Sequence, residues 1–209
     1  MENMKNAGAR FSDEELEKAI KTYNIYIANK EAFKIVNEDN VCEYDETKSF
    51  SDNVNDEINF WSAVAKIKAT VPDTIKLATY VFEKAVCPIL ETKGCKITEI
   101  SVIPTYGDIP FPEFTIRIEC ETVQVSLFLD CESFRIGGAL MQKEKTKISY
   151  QKITCKGFTE DKDLKEGFVI STNKFEFSQN NPLSLDYLNE CILRDIKKDC
   201  QSIIESALS

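Results

Sequence analysis

Four carboxylates, Asp108, Glu113, Asp130 and Glu132, are the side chains of this sequence best placed to do chemistry together. A tight turn at Glu121-Thr122 between two strands puts Glu113 beside Asp130 and gathers all four at one end of a sheet. Four oxygen donors in one place suit Mg²⁺ or Ca²⁺, or an acid–base pair. In a chain with 35 acids the commoner outcome is a set of solvated strand ends.

Other routes to catalysis are narrower. The chain has no histidine, the side chain that titrates near neutral pH and serves most often as general base or metal ligand. It therefore cannot build a Ser-His-Asp or Cys-His pair, or an H-E-x-x-H zinc site, from its own residues. Its eight cysteines contain no C-x-x-C and lie eight or more residues apart, unlike the close pairs of most zinc clusters. They read as free, reduced, small apolar residues of a reducing compartment. Phosphate-binding loops of the G-x-x-x-x-G-K-[ST] or G-x-G-x-x-G kind are absent, and no cofactor is expected.

Charge is more informative. The net charge of -9 disfavours nucleic acid and anionic membrane surfaces as direct partners. Residues 37–58 hold eight acids and one base, with Tyr44 and Phe50 spaced among them. This stretch reads as an acidic connector, and Asp39, Glu43, Tyr44, Asp45, Glu46 and Phe50 form a docking surface for a basic protein partner. Residues 135–156 carry six bases and one acid, which can equally neutralise the connector within the fold.

The elements that hold these residues are legible from spacing. Ser12 and Glu15 make a capping box, Phe11 staples onto Leu16, and Leu16, Ile20, Tyr23 and Ile27 form an apolar stripe. That predicts a helix from about residue 13 into the low thirties. A second helix is predicted over 55–69, anchored by Trp61, and a third from Pro72 to Gly94, irregular near Cys87 because of Pro88.

Beyond Gly94 the apolar period changes from helical to alternating. Strands are predicted at 97–103, 114–120, 123–129, 134–141, 147–155 and 167–177, with loops at 104–112 and 159–166. Asn181-Pro182 starts a last helix, striped by Leu188, Ile192, Ile196, Ile203 and Ala207, which offers a homodimer face.

The predicted architecture is α+β: about three N-terminal helices, a meandering antiparallel sheet of about six strands, and a long C-terminal helix packed on the sheet. Residues 1–94 form a helical region with the acidic connector, and 95–209 the sheet and last helix, in one compact unit. No segment is apolar enough to span a bilayer, and the acidic start of the chain has no apolar signal core, so a cytoplasmic location is expected.

The functional expectation is a non-enzymatic acidic module that binds another protein, as an inhibitor, immunity-type protein or adaptor. The alternatives are a small-ligand carrier with a pocket between sheet and last helix, and a histidine-free carboxylate or metal enzyme.

Overall fold

The computed structural model describes residues 11–34, 46–55, 62, 69, 71–103, 113–121, 123–144, 147–160 and 167–209. Helix α1 (Asp13–Lys34) is followed by α2 (Val71–Val81), a π turn (Phe82–Val86) and α3 (Cys87–Thr92). Seven strands come next: β1 (Lys96–Ile103), β2 (Glu113–Cys120), β3 (Val123–Asp130), β4 (Arg135–Glu144), β5 (Lys147–Gln151), β6 (Phe158–Glu160) and β7 (Val169–Ser171). Helix α4 (Leu185–Tyr187), a second π turn (Leu188–Ile192) and α5 (Leu193–Leu208) complete the described chain. The fold is α+β, with a wholly antiparallel sheet and a long C-terminal helix packed against it. No helix among the described residues is long and apolar enough to cross a membrane.

The capping box forms in both directions. Ser12 N donates to Glu15 Oε2 at 2.8 Å, and Glu15 N donates to Ser12 Oγ at 3.3 Å. All four stripe residues of α1 are buried. Within the stretch expected to be a connector, residues 50–55 are already helical. Ser49 caps them by accepting from Asp52 N at 3.2 Å. Pro88 does not break its helix. It sits in the first turn of α3, where a missing N–H is tolerated, and the irregularity falls one turn earlier as the π turn.

The sheet runs β1-β2-β3-β4-β7-β6, with β5 also on β4. Cys120 pairs with Val123, so Glu121 and residue 122 form the expected two-residue connection. Glu121 takes a left-handed φ of 49°, which tight hairpin turns require and which glycine or asparagine would adopt at less cost. The outer edge of β4 is shared between two strands. Gly137 and Gly138 pair with β7, and Leu140 to Glu144 pair with β5.

One face of the sheet carries the main core. Ile116, Ile118, Val125, Leu127, Leu129 and Ile136 share a buried cluster with α1, α2, the π turns and α5. The stripe on the last helix belongs to it: Leu188, Ile192, Ile196, Ile203 and Ala207 are all buried within the chain, so they offer no exposed dimer face. The opposite face holds a smaller cluster of Phe128, Ala139, Phe168 and Ile170, with Tyr150 against it. Gly137 and Gly138 allow both faces to close. A Cβ on Gly137 would lie 2.3 Å from the Phe128 ring and 2.4 Å from the Val169 carbonyl oxygen. A Cβ on Gly138 would lie 2.9 Å from the Ser126 carbonyl oxygen and 3.4 Å from Ile203 on α5.

Several boundaries differ from the sequence reading, each for a local reason. Residues 158–160, at the start of the expected charged loop, pair with β7 as a seventh strand. The strand expected to reach Phe177 ends at Ser171; one further backbone bond, from Thr172 N to the Gly157 carbonyl at 2.9 Å, follows, and side chains there tie the chain to α5. Ser171 Oγ donates to Asp199 Oδ2 at 2.5 Å, and Asn173 Nδ2 reaches the same carboxylate at 3.3 Å. The last helix begins at Leu185, with Ser184 accepting from Tyr187 N at 3.2 Å. It cannot begin at Asn181, whose own N–H bonds back to Ser178.

The cysteine reading is corrected too. Lys96 pairs with Glu119, so Cys95 falls opposite Cys120 across the ladder, with Cα atoms 4.2 Å apart, and the two form a disulfide. Sequence spacing gave no sign of this pairing, because strand register alone creates it. Cys87, Cys131, Cys155, Cys191 and Cys200 carry thiols.

The glycine contacts set an expected outcome. Gly137→Ala should cost at least about 3 kcal/mol, because backbone atoms of β7 must move. Gly94→Ala, with open space but a φ of 67°, should cost about 1 kcal/mol. Urea unfolding of the two variants checks this, and equal losses would contradict the close-approach account.

Candidate functional site

The turn between β3 and β4 is built by Asp130. Its Oδ1 accepts Glu132 N at 2.8 Å and its Oδ2 accepts Ser133 Oγ at 2.5 Å, a local side-chain cap that reverses the chain. Phe134 then takes a left-handed φ of 47° and turns its ring into the core. Phe175 N donates to Ser133 O at 3.1 Å, so the extended chain after β7 runs alongside this turn.

Helix α1 closes the other side. Tyr23 is fully buried and donates its hydroxyl to the Glu132 carbonyl at 2.5 Å. Its ring lies 5.4 Å from Phe134 and 5.9 Å from Phe177. Tyr187 at the start of the C-terminal helix meets Phe175 and Phe177 edge-on, at 6.1 and 6.0 Å. Asn24 clamps the Leu183 backbone from both sides, donating to its carbonyl at 2.9 Å and accepting from its N–H at 2.8 Å.

Between these parts opens a cleft of about 640 Å³. Its wall from the turn is Asp130, Glu132, Ser133 and Arg135. Its wall from the extended chain includes Lys174, Phe175, Glu176 and Phe177, and Ile27 of α1 contributes from above. Arg135 Nε donates to the Ser171 carbonyl at 3.0 Å, and Lys174 pairs with Glu176 at 2.5 Å. Burial pushes the Tyr23 and Tyr26 phenols upward, and the charges of Asp130 and Glu132 add to it. A second, smaller cleft of about 400 Å³ opens at the other end of β2–β4, between Glu119, Gln124, Leu140 and Gln151. Neither cleft is lined by the C-terminal helix.

Of the four predicted metal ligands, Asp130 and Glu132 do line one cleft. Glu113 pairs with Asp130 in the ladder, as the turn at 121–122 requires. Asp108 lies outside the described residues. Asp130 spends both oxygens on its own turn, and among the described residues no three Cys, Asp or Glu side chains group as a metal site. Of the predicted docking residues, Asp39, Glu43, Tyr44 and Asp45 lie outside the described residues. Glu46 is exposed, and Phe50 is 76% exposed, the most exposed large apolar side chain described. Arg135, Phe175 and Phe177 were not singled out by sequence. The available signals were an arginine opposite Asp130 across a turn, and an F-x-F repeat beyond the last strand.

The absence of histidine fixes the expected pH response. Burial raises the Cys200 thiol from 9.0 to about 12, with Cys87 and Asp199 adding to the shift. The native state therefore holds this proton, and those of Tyr23 and Tyr26, after the unfolded chain has released them. Their stabilisation is complete below the ordinary thiol value and is lost as pH rises toward about 12 for Cys200. Unfolding free energy should be flat from about pH 6 to 8 and fall above about pH 9. Cys200→Ala should shallow the first part of that fall. A step near pH 6.5, or an unchanged alkaline limb in the variant, would contradict this. No family model matches the chain, and neither curated proteins nor solved structures yield a match to it.

Proposed function

We propose that this chain is a non-enzymatic, acidic, cytoplasmic interaction module that binds another protein, in the manner of an inhibitor, immunity-type protein or adaptor. The observation that carries the reading is Phe50. It stands 76% exposed on the first turn of a capped helical segment, with exposed Val54 one turn further on. Exposed Glu46 and Asp52 flank it. An aromatic anchor framed by acids suits a basic partner that offers an apolar pocket. The aromatic supplies affinity by desolvation, and the acids supply steering and register.

A second reading, a small-ligand carrier, has one observation in its favour: the cleft of about 640 Å³. That cleft lies at the end of the sheet. The predicted pocket between sheet and last helix falls where Ile203 packs on Gly138.

Affinity capture from a native lysate, with wild type and Phe50→Ser side by side, tests the leading reading. A basic protein should be retained by wild type at about 50 mM salt, weaken at about 300 mM, and be lost by Phe50→Ser at unchanged melting temperature. Retention that is indifferent to both salt and Phe50, or no partner at low salt, would refute it.

A further inference from the structure

We propose that the cleft beside the Asp130–Arg135 turn binds a monocarboxylate carried on an apolar or aromatic body, with Arg135 as its anchor. This site is independent of the Phe50 surface. Arg135 opens β4 and is half-buried at the wall of the cleft. Its one hydrogen bond among the described residues, from Nε to the Ser171 carbonyl, fixes the plane of the guanidinium and consumes its side-on edge. No carboxylate among the described residues pairs with it. Asp130, its neighbour across the ladder, is already committed to Glu132 N and Ser133 Oγ. The end-on edge, Nη1 and Nη2, thus remains as a planar two-donor fork, which matches the two oxygens of a carboxylate.

The rest of the cleft selects the body and the charge of the ligand. Phe175, Phe177 and Ile27 supply apolar wall, and about 640 Å³ accommodates an aromatic amino acid or the last residue of a peptide. Beside Lys174, which pairs with Glu176, three acids, Asp130, Glu132 and Glu176, stand around the same space. They repel phosphate and dicarboxylates, so the fork is left to a monoanion, and they favour a zwitterion whose ammonium faces them.

The test uses the full chain with L-phenylalanine, N-acetylphenylalanine and glycylphenylalanine as probes, and phenylalaninamide and inorganic phosphate as controls. Affinity is read by calorimetry and position by NMR shifts of Arg135 Nε–H and the Phe175 amide. The free acids should move both resonances, and bind at least about tenfold more tightly than the amide. Phosphate should move neither. Tighter binding of glycylphenylalanine than of phenylalanine assigns the site to a peptide terminus, and the reverse order assigns it to a free amino acid. Arg135→Lys keeps the charge but loses the fork, and should weaken the acids about tenfold. If that variant is destabilised, the wild-type shifts and the acid-to-amide ratio still decide. Equal affinity for acid and amide, shifts outside the cleft, or no binding of any free acid at about 10 mM would overturn the proposal.

Discussion

One buried tyrosine joins the parts of this fold that sequence leaves furthest apart. Tyr23 sits in the middle of α1, yet its hydroxyl is bonded to the β3–β4 turn more than a hundred residues later. Its ring touches Phe134 of that turn and Phe177 of the chain beyond β7. A phenol buried in this way must keep its hydrogen bond, since an unpaired hydroxyl would forfeit its hydration for nothing. The Glu132 carbonyl supplies it only if the turn is held in register with the helix. The aromatic contacts and the polar contact therefore enforce one another, and the Asn24–Leu183 clamp extends the tie one residue further along the helix.

The cleft is a consequence of that arrangement. Its two walls are the turn and the extended chain, the same two segments that Tyr23 brings together, and its third side is α1 through Ile27. One wall is a turn between two strand ends, and the other is extended chain outside the sheet. The turn depends on the Asp130 cap and a left-handed Phe134, and the extended chain is held by Phe175 N on Ser133 O. At the far end of that wall, the bonds of Ser171 and Asn173 to Asp199 tie the chain to α5. Arg135 is oriented by the Ser171 carbonyl of β7, so its guanidinium inherits the rigidity of the β4–β7 pairing. The acidic helical segment around Phe50 is a separate surface, with its own cap.

The regular elements are legible in the sequence for physical reasons visible in particular residues. The Ser12–Glu15 box and the Leu16–Ile27 stripe encode α1 locally, and alternation on either side of Glu121 encodes the β2–β3 hairpin and its register. From that register followed the gathering of Glu113 and Asp130. What sequence hid was non-local. The Cys95–Cys120 pairing exists only once β1 lies on β2. The tie from the end of β7 to α5 depends on an aspartate in the last helix. Arg135 gains its place in a cleft because a carbonyl 36 positions away occupies its Nε. The Asn181-Pro182 signal for a helix start was overridden by the Ser178 turn and by Asn24, which claims the Leu183 amide.

Tyr23 couples α1, the 131–135 turn and the 173–181 chain into one unit. Native-state hydrogen exchange on Tyr23→Leu compared with wild type tests this coupling directly. The amides of Phe175 and Leu183 and those of α1 should lose protection together, by similar factors. Amides in the paired cores of β2 and β3 should keep theirs. Loss confined to α1, with Phe175 and Leu183 as protected as in wild type, would contradict the account.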